Sequence, residues 1–127
     1  MAAPRYRLTS TVLGTSDPRG LAAFYRDLLG WEVVADEPEW VKITPPGGGT
    51  GLAFQFEGNH VPPSWPGEPG DQQMQAHLDI GVAALDAGEA FARSLGATLA
   101  SYQPQDDVRV LLDPAGHPFC LFEDSPA

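Results

Sequence analysis

The sequence is poor in residues that crosslink a chain or bind polyanions. Cys120 is the single cysteine, which excludes an intramolecular disulfide. Seven lysine and arginine residues face seventeen aspartate and glutamate residues, giving a formal net charge of −10 at pH 7. Because that field repels phosphate groups, nucleic acids and anionic membranes are not expected as partners. A chain of 127 residues can bury a stable core without crosslinks.

Long apolar runs are also missing. The segment MAAPRYRLTS has no stretch long enough for a signal peptide or a membrane span. Together with the single cysteine, this predicts a cytoplasmic protein. The few cations are informative, because Lys42 is the only lysine and Arg109 interrupts the apolar run VRVLL. Each could hold an anionic group of a ligand, and the alternative for each is an exposed side chain on a strand.

The first half of the chain predicts a strand, a helix and three more strands. The helix begins after Ser16 or Asp17, has Pro18 in its first turn and ends at Gly30. Its apolar residues recur at helical spacing, namely Leu21, Phe24, Tyr25, Leu28 and Leu29. Strands rich in β-branched and aromatic residues are expected at 8–13, 31–35, 40–44 and 52–57.

The same order of elements returns in the second half. A proline- and glycine-rich segment, 58–75, separates the halves and is expected to hold neither helix nor sheet. After it come strands at 77–82, 97–102, 108–112 and 119–123, with a helix at 84–95 capped by Gly96. The pair Leu29-Gly30 matches Leu95-Gly96. These matches predict a duplicated module, and an unduplicated α+β domain is the alternative.

Three phrases carry a family resemblance: SDPRGLAAFYRDLLGWEV, HLDIGV, and LGATL followed by LLDPAGHPFCLFE. They resemble the glyoxalase/bleomycin-resistance superfamily, also called vicinal oxygen chelate proteins. The resemblance implies an α+β fold in which two βαβββ modules form a curved, cup-shaped mixed sheet with the helices outside. It implies a single domain over 1–127, with module one at about 6–57, a linker at 58–75 and module two at about 76–125. It also implies a homodimer.

Strand alternation predicts which side chains face the cup. In HLDI, Leu78 and Ile80 are assigned to the core, so His77 and Asp79 face the cup. The other strands contribute to the cup Trp40, Lys42, Ala53, Gln55, Glu57, Arg109, Leu111, Cys120 and Phe122. The residues assigned to the opposite, helix-covered face are Val41, Ile43, Leu52, Phe54, Phe56, Val108, Val110, Leu112, Phe119 and Leu121.

Metal-dependent members of the superfamily resemble one another in using four His or Glu ligands. Those positions fall here on Ser10, Gln55, His77 and Cys120. A serine hydroxyl and a neutral amide are weak ligands, so no cofactor and no complete metal site are expected. If a divalent metal does bind, His77 and Cys120 are its expected ligands.

The preferred interpretation is therefore a small-molecule-binding protein without a complete metal site. The residues expected to bind the ligand are Ser10, Trp40, Lys42, Gln55, Trp65, Arg109, Cys120 and Phe122. The alternative is a lyase or isomerase that uses His77 as acid or base, oriented by Asp79, with or without a divalent metal. Arg109 or Lys42 would then hold an acidic substrate. His77 could instead have only a structural role within the sheet.

Overall fold

The computed structural model describes residues 3–124. The chain divides into two compact units, Met1–Gly58 and Asn59–Ala127. Each unit has the order βαβββ and folds into one four-stranded mixed sheet with one helix. The predicted α+β class and the repeated module are confirmed. The single domain and the cup formed jointly by both modules stay predictions.

The first unit consists of β1 (Ser10–Thr15), α1 (Pro18–Leu29), β2 (Glu32–Glu37), β3 (Trp40–Thr44) and β4 (Gly51–Phe56). The strands lie in the order β1-β4-β3-β2. The pair β1 and β4 is parallel, whereas β3 is antiparallel to both β4 and β2. The first and last strands of the unit therefore lie side by side.

Both ends of α1 follow from the sequence. The Asp17 side chain accepts a hydrogen bond from the Gly20 backbone N–H at 3.0 Å, which caps the first turn. Gly30 has a left-handed φ of 70°, and its N–H donates to the Arg26 carbonyl at 2.8 Å. With 12 residues α1 is the longer helix, and no helix within residues 3–124 is long and apolar enough to cross a membrane.

The core of the first unit lies between α1 and its sheet. Tyr25 and Phe54 are fully buried, and their rings stack with centroids 5.7 Å apart. The prediction that Phe56 is covered by the helix is wrong, because its side chain is 43% exposed. The register between β3 and β4 ends at Gln55, and the Phe56 N–H donates to the Glu39 carbonyl directly before β3.

The second unit consists of β5 (Leu78–Val82), α2 (Leu85–Ser94), β6 (Thr98–Leu99), β7 (Val108–Leu112) and β8 (Pro118–Glu123). The strands lie in the order β5-β8-β7-β6, with β5 and β8 parallel. The helix ends one residue earlier than expected, at a cap formed by Leu95, and Gly96 follows it with a φ of 120°.

The strand predicted at 97–102 shrinks to the two residues of β6. Beyond it, the Ala100 N–H still donates to the Val110 carbonyl of β7 at 3.0 Å, and the Gln103 side chain bonds the same residue. Its Nε2 donates to the Val110 carbonyl at 2.8 Å, and its Oε1 accepts from the Val110 N–H at 3.0 Å. Backbone bonding at this edge of the sheet therefore ends at Ala100, and the Gln103 side chain supplies the further bonds to Val110.

The proline-rich segment after Gly58 packs onto the second unit. His60 Nε2 lies 2.7 Å from the Ala115 carbonyl oxygen, and the Ser64 N–H donates to the Gln72 carbonyl at 2.7 Å. An isolated parallel bridge joins Ser64 to Gln73. These contacts position the neighbouring residue Trp65 on the second unit.

Candidate ligand-binding site

The second unit contains a cavity of about 490 Å³. That volume is within the range of small-molecule pockets, about 300–1,000 Å³. Its walls come from the proline-rich segment after Gly58, the beginning of β5, β7 with the residues before it, and β8. The lining residues are Trp65, His77, Asp79, Pro104, Gln105, Val108, Val110, Cys120 and Phe122.

The polar side of the cavity is built by β5, by His77 directly before it, and by β8. His77 and Asp79 are two residues apart and therefore lie on one face, as alternation predicts. His77 Nδ1 lies 3.1 Å from Asp79 Oδ1. The parallel register of the two strands places Cys120 beside Asp79. The sequence reasoning identified all three residues, and the tertiary structure brings them together.

Trp65 forms an aromatic wall against His77. The two rings stack with centroids 4.9 Å apart and planes 20° apart, and Tyr102 packs edge-on against Trp65 at 5.4 Å. Stacking fixes the plane of the imidazole, whose side chain is 29% exposed. His77 Nε2 has no hydrogen-bond partner within residues 3–124 and is available to a ligand. Sequence analysis named Trp65 but missed Tyr102.

Cys120 is nearly buried, with 6% of its surface exposed. Burial raises the pKa of its thiol above the usual value, and the negative charge of Asp79 raises this pKa further. The group is therefore a protonated thiol near neutral pH. A raised pKa disfavours a role as nucleophile, since the thiolate is the reactive form.

His77, Asp79 and Cys120 also form a potential metal-binding group. Each offers one ligand atom, and the three atoms lie within 4.8 Å of one another. Imidazole nitrogen, carboxylate oxygen and thiolate sulfur are all ligands that zinc accepts, so this donor set fits such an ion. Binding through Cys120 would require loss of its proton, which the raised pKa opposes.

Arg109 does not belong to the cavity, contrary to the predicted orientation. Its side chain lies against α2, where Nε is 3.3 Å from Glu89 Oε1 and Nη2 is 3.4 Å from Asp86 Oδ1. Val108 and Val110 line the cavity in its place.

The assignment of β7 was wrong because both faces of this strand carry apolar residues, and Val110 and Leu111 are both buried. Alternation therefore holds no signal in VRVLL. The signal that could have placed Arg109 is the pair Asp86 and Glu89, since residues three apart share one helix face.

The remaining predicted site residues lie in the first unit. Ser10 opens β1 and pairs with Gly51, while Trp40 on β3 pairs with Gln55 on β4. The Gln55 amide donates to Glu57 Oε1 at 3.2 Å, so these two side chains share a face as expected. The other predicted cation, Lys42, lines a smaller cavity within this unit.

Comparison with known protein families shows the family of this chain. The family model described as Glyoxalase-like domain matches residues 10–122. The chain belongs to this family. The vicinal oxygen chelate resemblance is thereby confirmed for this glyoxalase-like chain. A search of curated proteins gives no match.

Solved structures share the glyoxalase-like fold at low sequence identity. One is a glyoxalase/bleomycin resistance protein/dioxygenase family enzyme from Burkholderia phytofirmans, with TM-score 0.70, 18% identity, and coverage of 93% of this chain and 98% of that chain. Another is the trypanothione-dependent glyoxalase I of Leishmania major, with TM-score 0.64, 18% identity, and coverage of 94% and 87%. A third, an antibiotic-binding protein from a Streptomyces species, has TM-score 0.58, 21% identity, and coverage of 98% and 100%. These similarities show the fold alone.

The pKa of the Cys120 thiol should be higher in the folded protein than in the unfolded chain. Asp79→Asn should lower this pKa, because it removes a neighbouring negative charge. The measurement is the Cβ chemical shift of Cys120 against pH, and Asp86→Asn serves as a charge-matched control on α2. Since the folded chain keeps the thiol proton to higher pH, stability should fall as pH rises through the window between the unfolded and folded pKa values. An unchanged titration in Asp79→Asn would contradict the assigned interaction.

Arg109→Gln should lower the free energy of unfolding by about 1 kcal/mol, because two ion pairs to α2 are lost. The measurement is chemical denaturation. Arg26→Gln is the control, since within residues 3–124 Arg26 forms an ion pair only with its exposed neighbour Asp27. This substitution should change stability by less than about 0.5 kcal/mol. Equal stability of both variants would mean that the contacts with α2 contribute nothing.

Proposed function

We propose that this glyoxalase-like chain binds a small organic molecule in the cavity of the second unit. The observation that carries the proposal is the combination, in about 490 Å³, of the aromatic side chains Trp65 and Phe122 with the polar pair His77 and Asp79. Aromatic walls supply apolar contact area, and a few convergent polar groups fix the orientation of a ligand. The antibiotic-binding structural relative supports a binding role for this fold.

The charge of the cavity indicates the class of ligand. Asp79 is the one lining residue with a formal charge when His77 is neutral, and its side chain is 61% exposed, within reach of a ligand. The cation expected to attract an acidic ligand, Arg109, lies against α2 instead. The preferred ligand is therefore a flat apolar molecule that presents an ammonium or another hydrogen-bond donor to Asp79.

A second candidate function is proton transfer in a lyase or isomerase. It is favoured by the 3.1 Å distance between His77 Nδ1 and Asp79 Oδ1, because a carboxylate at that position can orient an imidazole as acid or base. His77, Asp79 and Cys120 would hold a divalent metal ion if one binds, and such an ion would supply Lewis-acid chemistry. In the preferred function the site works without metal.

We further propose that the chain is a cytoplasmic homodimer. The single cysteine supports a reducing compartment. Family resemblance supports the dimer.

Naphthylmethylamine and naphthoate test the charge preference, since they share a ring system and carry opposite charges. Wild-type protein should bind the amine at least about tenfold more tightly, which corresponds to roughly 1.4 kcal/mol. Asp79→Asn should remove most of this preference, whereas Asp86→Asn should keep it. Titration calorimetry gives the affinities, and the indole N–H signal of Trp65 reports the location. Binding without a Trp65 shift, or equal affinity for both probes, would contradict the proposal.

Metal content tests the metal-free form of the site. Protein purified without added ions should hold well under one divalent ion per chain by plasma mass spectrometry, because the Cys120 proton opposes binding. One tightly held ion per chain, lost in His77→Ala, would overturn the metal-free proposal.

Where a bound molecule is turned over, His77→Gln should abolish turnover and retain binding if proton transfer is the function. Unchanged turnover would exclude that role for His77.

A further inference from the structure

The cations of this acidic chain fall into two groups. Four arginines form ion pairs with carboxylates: Arg19, Arg26, Arg93 and Arg109. Arg5, Arg7 and Lys42 form none within residues 3–124. With seventeen acidic residues in the chain, a cation without a carboxylate partner is unexpected. Two of the three, Arg7 and Lys42, line the same cavity.

This cavity lies in the first unit and has a volume of about 220 Å³. Its walls are Arg7, Leu8, Thr9, Lys42, Gly49 and Thr50. The wall contains two cations and no carboxylate, so its lining residues carry positive formal charge although the net charge of the chain is −10. The volume is smaller than a typical drug-sized pocket and suits one compact anionic group.

Hydrogen bonds to the backbone hold the segment that carries Arg7 at this cavity. The Thr50 hydroxyl donates to the Leu8 carbonyl at 2.9 Å, and the Gly51 N–H donates to the Thr9 carbonyl at 2.9 Å. These two bonds tie the segment that carries Arg7 to the loop before β4. The loop reaches this position through three consecutive left-handed glycines, Gly47, Gly48 and Gly49.

Lys42 enters the cavity along the sheet. It lies on β3 beside Ala53 of β4, and its side chain is half-buried. A Cβ at Gly51 would approach Lys42 Cε to 3.2 Å, so the glycine leaves room for the aliphatic part of the lysine side chain. The stem of Lys42 thus packs beside Gly51, and the residue lines the cavity.

We propose that the Arg7–Lys42 cavity binds a compact oxyanion, either inorganic phosphate or the phosphate group of a small organic monoester. Two cations that share a small cavity repel each other, and a bound anion converts that repulsion into two charge-assisted interactions. The site is separate from the proposed function, because it lies in the other unit and selects the opposite charge. Failure of either one leaves the other standing.

The test is a phosphate titration of the full chain followed by amide chemical shifts, at constant ionic strength maintained with chloride. Phosphate should shift the amides of Leu8, Thr9, Gly49 and Thr50 in a saturable manner. Lys42→Met, which keeps the aliphatic stem, and Arg7→Gln should each weaken binding about tenfold. Arg5→Gln is the matched control, because Arg5 also forms no ion pair but does not line the cavity. It should leave the affinity within about twofold.

Three results would overturn the proposal. They are phosphate shifts that do not saturate, an unchanged affinity in both Lys42→Met and Arg7→Gln, or an equal loss in Arg5→Gln, which would indicate a general charge effect.

Phenyl phosphate distinguishes the two sources of the anion. Tighter binding of the monoester than of inorganic phosphate identifies an organic ligand, and the reverse order identifies the free ion; binding of neither refutes the site.

Discussion

Parallel pairing of the first and last strands of each unit is the constraint on which the rest of the structure depends. Parallel neighbours cannot be joined by a tight turn, so each unit must place its helix and two further strands between them. In the first unit this pairs β1 with β4, and in the second it pairs β5 with β8. Only this pairing places Asp79 beside Cys120, forty-one positions later in the chain.

Charge is distributed unevenly over the two units. In the second unit the aromatic cavity contains Asp79 as its formal charge, while Arg109 is neutralised against α2. In the first unit Lys42 and Arg7 remain without carboxylates at their cavity. Net charge alone predicts only the exclusion of polyanions, because it averages over these local fields. Local pairing decides which charges are available to a ligand.

Local signals predicted the elements that are stabilised locally. The helix α1 has an Asp17 cap, a proline in its first turn and a left-handed Gly30, and its predicted and observed bounds agree. Predictions failed where a distant partner decides. Beyond β6 the Gln103 side chain bonds the backbone of β7, and Phe56 is exposed at the end of the ladder between β3 and β4. Neither effect can be predicted from the hydrophobic periodicity of the strand concerned.

For the candidate site, the sequence by itself determined that His77 and Asp79 share a face, because successive side chains of a strand alternate between two faces. The tertiary structure decided what surrounds them. Contacts of the proline-rich segment with the second unit place Trp65 against His77. The register between β5 and β8 places Cys120 beside Asp79. The tertiary structure also decided the orientation of Arg109, since a strand that is apolar on both faces has no intrinsic direction and the acidic residues of α2 select one.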